Sequence, residues 1–297
     1  MSTNPPKTLL TVPLEIRQSI YKELFKSATV RHGLETTDST HASLLRVCHQ
    51  IHDEAKEYFL PNITLHFRST SVMLDCLTAM SPEIISKLRY MRVQAFPFYS
   101  PEESSTYCFS FLLPLFKGLQ LNLLTVEDVY HPGDWFADVP SYYFAQGLLQ
   151  SLGWKELHYI FPDTDFIASA RDRRNERVAQ PEGWNKNPEI VKKKVTVTMF
   201  IANEPNVAGM AEDPNTRSEY IGIPAHLLSN EPVNTLDRGI TDEREVLVVA
   251  RREEGAHVQD GSELDDGVKE MFSNKTWKEI KEDEEYINVE SDPCAWL

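Results

Sequence analysis

The chain has 297 residues, with 30 Lys and Arg against 45 Asp and Glu, giving a formal charge of −15 and a pI near 5.1. A hydrophobic fraction of 41%, with 10% aromatic residues, is enough for a packed core and excludes a wholly disordered chain. The acidity argues against nucleic acid as a partner, and no run approaches the roughly 18 consecutive apolar residues of a membrane-spanning helix.

The start, Met-Ser-Thr-Asn-Pro-Pro-Lys, has no apolar run of signal-peptide length, so an intracellular protein, cytoplasmic or nuclear, is expected. The first helix opens at Thr11 as a cap, with Pro13 where a helix tolerates proline best and Glu15 at the positive end. Ile16, Ile20 and Leu24 repeat at four-residue steps, with Tyr21 and Phe25 widening the apolar stripe. A polar loop is expected over 26–43. The second helix, over 44–59, carries Leu44, Leu45, Val47, Cys48, Ile51, Ala55, Tyr58 and Phe59, and Pro61 ends it. The alternation in Ile63-Thr64-Leu65-His66-Phe67 predicts a strand.

Beyond Ser71 one order recurs three times: a helix, a Gly or Lys, then a strand. Helices over 82–87, 106–116 and 141–151 lead into strands over 88–93, 119–126 and 154–160. The spacing from Leu88 to Leu121 to Leu157 is 33 and then 36 residues. That exceeds the leucine-rich period of about 20–29 but suits βα units of about thirty residues, which lay strands in parallel with helices on one face. Strands over 195–202 and 245–250 extend or cover this sheet. The last 45 residues hold 14 acidic and 4 basic side chains, the composition of a solvated tail, with one short helix capped by Thr276 and running through Trp277, Ile280 and Ile287. The expected organisation is therefore α+β: an N-terminal helical pair and first strand over 1–70, a leucine-rich-repeat-like body of βα units over 71–252, and an acidic, largely flexible tail over 253–297.

Chemistry-bearing patterns are sparse. No phosphate-binding glycine loop, nucleophile elbow or C-x-x-C pair is present, so neither catalytic residues nor a cofactor is expected. His49 and His52, beside Cys48 and Asp53, have a spacing that could offer two metal ligands, but no third is placed; the reading is a polar helix face and no metal. Asp163-Thr164-Asp165 reads as a turn former rather than a cation site. Cys48, Cys76 and Cys108 read as small buried hydrophobes. Arg171, Arg173, Arg174, Arg177 and Lys192–Lys194 form the one basic stretch, a solvated connector onto which the acidic tail could fold. The final Cys294-Ala295-Trp296-Leu297 matches C-a-a-X formally, but Trp296 and the acidic approach favour an unmodified end.

Two segments carry a resemblance. Leu9-Leu10-Thr11-Val12-Pro13-Leu14-Glu15-Ile16-Arg17-Gln18-Ser19-Ile20-Tyr21 resembles the L-P-x-E-I-R-x-x-I-Y pattern of the F-box-like domain found in many fungal proteins, with Val12 replacing Leu. Leu44-Leu45-Arg46-Val47-Cys48-His49-Gln50-Ile51-His52-Asp53-Glu54-Ala55 is similar to its L-L-x-x-C-R-Q-I-x-x-E-A pattern, with His49 replacing Arg. The resemblance covers about the first 67 residues, strand included. It implies a non-enzymatic interaction protein that binds the Skp adaptor of a cullin–RING ubiquitin ligase through Leu10, Val12, Pro13, Ile16 and Ile20, helped by Leu45 and Val47, while the repeat-like body holds an unknown protein substrate. The sequence departs from a full F-box in the long polar loop and in the strand after the second helix. A degenerate domain that keeps the helical pair only to pack against the body is therefore the alternative. The two differ in whether the stripe of Leu10, Pro13, Ile16 and Ile20 is exposed.

Overall fold

The computed structural model describes residues 8–33, 40–95, 98–100, 105–107, 109–128, 141–162, 182–204, 217–219, 244–253 and 264–283. Its chain is mixed α/β, built on an eight-stranded sheet. In chain order the strands are β1 (Thr29–His32), β2 (Thr64–Phe67), β3 (Tyr90–Gln94), β4 (Phe98–Ser100), β5 (Ser105–Tyr107), β6 (Leu121–Glu127), β7 (Trp154–Phe161), β8 (Val195–Ala202), β9 (Arg217–Glu219) and β10 (Val246–Arg252). The sheet order is β1-β2-β3-β6-β7-β10-β8-β9, and β4 pairs only with β5. The four pairings from β1 to β7 are parallel, and the three from β7 to β9 are antiparallel.

Helical crossovers join the parallel strands. They are α2 (His49–Phe59) before β2, α3 (Thr70–Leu77) and α4 (Pro82–Ile85) before β3, α5 (Phe109–Leu112) before β6 and α6 (Ser141–Gln150) before β7, while α1 (Leu14–Lys26) leads into β1. Strands that advance in one direction through right-handed crossovers receive their helices on one face. Burial agrees with this. Leu65, Met91, Leu124, Leu157, Ala250 and Val197 stand in one register row across six strands, all buried. Phe67, Val93, Val126, Tyr159, Val248 and Met199 form the next row, also buried. On the opposite face His66, Arg92, Thr125 and His158 share a row and are only half-buried. There Arg92 pairs with Glu127, and Glu156 accepts from both His158 and Arg251. A small second cluster of Ile160, Leu247, Val249 and Phe200 lies under the antiparallel half.

Gly118 (φ 84°) and Gly153 (φ 94°) make the left-handed turns that lead towards β6 and into β7, where a side chain would strain the backbone. The expected order of helix, glycine, strand is met at both.

Several expectations are corrected. Of the apolar stripe expected on α1, Tyr21 and Phe25 are buried and Leu24 is half-buried, but Ile16 and Ile20 are exposed and Arg17 turns inward instead. The stretch expected as a polar loop holds β1, which pairs in parallel with β2, so the helical pair is built into the main sheet. A 3-10 segment, Thr40–Arg46, precedes α2, which starts at His49 rather than Leu44. Cys48 is therefore the extended N-cap of α2, exposed rather than core. The helix expected over 106–116 shrinks to α5 and a 3-10 turn, Leu113–Leu115, because Pro114 lacks the amide a continuing helix needs. The helix α3 was not foreseen; its start is set by Ser69, whose side chain accepts from the Val72 amide. Strands β8 and β10, expected to extend or cover the sheet, extend it, with β10 inserted between β7 and β8.

The segment 264–283, inside the expected tail, folds onto the body. Helices Asp266–Asn274 and Trp277–Lys281 place Val268, Trp277 and Ile280 in the main core. Thr276 and Glu279 form the capping box that starts the second of these. Trp277 Nε1 donates to Asp75 of α3 at 2.8 Å, and Lys281 Nζ lies 2.7 Å from the same carboxylate. Of the basic stretch, Lys194 pairs with Glu253 at 3.1 Å. Its arginines at 171–177, the acidic turn at 163–165, Cys108 and the terminal Cys294 lie outside the described residues, as does Ile287, to which the tail helix is expected to reach; the helix ends at Lys281. No helix among the described residues is long and apolar enough to cross a membrane.

Candidate functional site

The leading turn, Leu9–Thr11, buries no residue fully. Its ends are closed locally, by Thr11 Oγ1 donating to the Thr8 carbonyl at 2.7 Å and the Val12 amide donating to Leu9 at 3.1 Å. Pro13 then starts α1 with its fixed φ of −53°. On α1, the residues at steps of four from Arg17 turn inward. Tyr21 and Phe25 are fully buried, and the Phe25 ring meets Phe59 of α2 edge to face at 5.1 Å.

Arg17 turns inward because one carboxylate and two carbonyls meet it. Its Nε and Nη2 donate to the two oxygens of Glu54 on α2 at 2.8 and 2.5 Å, a bidentate pair. Its Nη1 donates to the carbonyls of Val12 at 2.5 Å and Leu10 at 3.4 Å. Glu54 also accepts from the Tyr21 hydroxyl at 3.0 Å and from Gln50 Nε2 at 2.9 Å. The Arg17 donation, above all, lowers the Glu54 carboxyl from 4.5 to about 2. Reciprocally, Arg17 is raised by its bond to Glu54, and Tyr21 is raised by burial and then by the same carboxylate. The network ties the leading turn, α1 and α2 together at one guanidinium.

With that face turned inward, the flank of α1 is left in water. Ile16 is 53% exposed and Ile20 41%, and at a spacing of four they are neighbours on the helix. Leu10 is 40% exposed and Leu14 42%, and Val47, just before the N-cap of α2, is 63% exposed. These are five of the eight large apolar side chains that stand exposed among the described residues. Pro13 is exposed too, Val12 is half-buried, and Leu45 is half-buried against the core. The Leu45 carbonyl lies 2.9 Å from His52 Nδ1, which fixes the segment that carries Val47.

Of the seven residues the motif nominates, Leu10, Pro13, Ile16, Ile20 and Val47 therefore face solvent. Leu10, Val12 and Pro13 are held beside the first turns of α1, where Ile16 and Ile20 stand. His49 and His52 are exposed, and no group of three or more His, Cys, Asp or Glu among the described residues is placed to hold a metal ion. Sequence reading places Tyr21 on the apolar stripe of the first helix and gives no role to its hydroxyl, nor to Arg17, Gln50 or Glu54. The signal was present in their spacing, since Arg17 and Tyr21, like Gln50 and Glu54, are pairs four apart on helices that pack together.

No family model matches the chain, and neither does any curated protein or solved structure.

Proposed function

We propose that this chain is a non-enzymatic protein-interaction subunit whose N-terminal apolar face docks a Skp-type adaptor of a cullin–RING ubiquitin ligase, with the leucine-rich-repeat-like parallel sheet presenting a protein substrate. One observation carries the reading: five of the seven residues that the F-box-like motif assigns to adaptor binding stand in water, while Arg17, between Ile16 and Ile20, is turned inward. Had Ile16 and Ile20 served as core, the motif would need no partner to account for it. Apolar side chains grouped at a helix start, outside the core, suit a contact in which anchors leave water on docking. The test is co-purification with a Skp-type adaptor, beside an Ile16→Glu variant. Stoichiometric capture by the wild type, lost in a variant with an unchanged circular dichroism spectrum and melting curve, is the expected outcome. Absence of capture by the folded wild type overturns the reading.

A second reading, an interaction protein with a degenerate F-box-like domain and no ligase role, is favoured by one feature. Strand β1 stands between the two helices and joins the sheet, so the pair does not form a free-standing module.

A further inference from the structure

The leading turn carries Leu10 and Val12, yet it has little core of its own to hold it. None of Leu9, Leu10 and Thr11 is buried, and only Leu9 packs against the main cluster, partly buried. What joins the turn to the helices is the Arg17 guanidinium. It reaches the carbonyls of Leu10 and Val12 from one nitrogen and Glu54 from the other two. We propose that Arg17 is the positioning residue of the docking surface: its fork clamps the leading turn against α1 and α2, so that Leu10, Val12 and Pro13 stand with Ile16 and Ile20 as one preformed face. The proposal rests on the adaptor reading above for its partner, but not for its geometry.

The physical logic is preorganisation. A five-residue segment that is loose before docking must be ordered during it, at a cost that weakens association. A clamp that orders the segment during folding removes that cost from the binding step. Lysine cannot replace arginine here. It has a single nitrogen on its stem, so it can keep charge opposite Glu54 but cannot hold both carboxylate oxygens and two carbonyls in one plane. Glu54 completes the clamp, and Tyr21 and Gln50 hold the carboxylate from its other sides.

The experiment uses the full chain with three variants: Arg17→Lys, Ile16→Ser and Arg17→Lys combined with Ile16→Ser. Amide hydrogen exchange is followed at Thr11 and Val12, whose amides bond within the turn, and in β6 and β7 as a reference. Affinity is measured by titration with a purified Skp-type adaptor. The expected result for Arg17→Lys is exchange at least tenfold faster at Thr11 and Val12, an unchanged reference, and adaptor binding weakened about tenfold with a slower association rate. Ile16→Ser weakens binding with exchange unchanged, because it removes an anchor and not the clamp. In the combined variant both effects are present together.

Unchanged exchange in Arg17→Lys overturns the proposal outright. Faster exchange with undiminished adaptor affinity reduces Arg17 to a structural residue and also overturns it. Exchange that rises equally in β6 and β7 marks general destabilisation and overturns it as well. A wild type that binds no adaptor overturns the adaptor reading and the docking role with it. That failure is distinguishable from failure of the clamp, because exchange is read without any partner.

Discussion

Stability and docking should separate cleanly on α1. Phe25 is fully buried and meets Phe59 edge to face at 5.1 Å. Truncating such a side chain to alanine costs about 3–5 kcal/mol, of which an aromatic pair supplies about 0.5–1.5. Ile16 and Ile20, at 53% and 41% exposure, retain only about half of the roughly 1.5–3 kcal/mol that full burial provides. Truncation to alanine keeps the Cβ, so each Ile→Ala change costs about 0.5–1 kcal/mol. At about 2–4 °C per kcal/mol for a domain of about 150–250 residues, Phe25→Ala lowers the melting temperature by about 6–20 °C. The double variant Ile16→Ala, Ile20→Ala lowers it by only about 2–8 °C. Adaptor affinity should follow the reverse order. Loss of two central apolar anchors removes about 2 kcal/mol or more, which is about thirtyfold, whereas Phe25→Ala, measured where it is folded, leaves affinity within about threefold. The assay is thermal unfolding followed by circular dichroism, with titration calorimetry on the same preparations. Equal destabilisation by Ile16→Ala and Phe25→Ala would refute the exposure argument, and a double variant that binds normally would refute the docking one.

Three further outcomes are expected. The folded Glu54 carboxyl titrates at about 2, below its ordinary 4.5, so the unfolded chain takes up this proton first as the pH falls. The stability contributed by Glu54 is complete above about pH 4.5 and is lost as the pH drops towards 2; urea midpoints measured across that window should fall less steeply in Glu54→Gln than in the wild type. Trp277→Phe removes the bond to Asp75 and costs about 1 kcal/mol, whereas Trp277→Ala costs about 3–5 kcal/mol and opens 264–283 to limited proteolysis before the sheet is cut. Arg252 is buried, stacks over Trp154 at 4.1 Å and donates to the carbonyls of Leu149 and Ser151 where α6 ends. Arg252→Lys loses the planar fork and should cost about 1.5–3 kcal/mol in a chemical denaturation series.

Local patterns made much of the sheet readable. The alternation from Val195 to Ala202 gave β8 its bounds, and the apolar run after Glu245 marked β10, because a strand's signal lies within its own residues. Strand neighbours are another matter. Nothing in the run at 246–252 says that it inserts between β7 and β8 rather than closing an edge, since that choice is made by partners 45 to 95 residues away. The first two turns of α1 depart from the periodicity for a related reason, although Tyr21 and Phe25 follow it. Periodicity assigns the apolar residues to the core, but Arg17 is drawn inward by Glu54, 37 residues on, and leaves Ile16 and Ile20 outside. Mean charge hid the docked part of the tail in the same way. Val268, Trp277 and Ile280 are few among acidic neighbours, yet they suffice once α3 offers Asp75 to the indole.

The insertion of β10 also sets a timetable for synthesis. As the chain leaves the ribosome, β2, β3, β6 and β7 each find a neighbour already made, so the parallel half can zip up from β1 in order of appearance. Strand β8 cannot join it. Within the described residues its link to that half of the sheet runs through β10, whose last residue, Arg252, lies 50 positions beyond Ala202. At about 5–20 residues per second, that leaves β8 waiting about 2.5–10 s with an unsatisfied flank, while the outer edge of β7 stands equally bare. Two open strand edges on one nascent chain are an invitation to wrong pairings. This interval is where a slowed ribosome, or a chaperone that shields the β7 edge, would most alter the yield of folded protein.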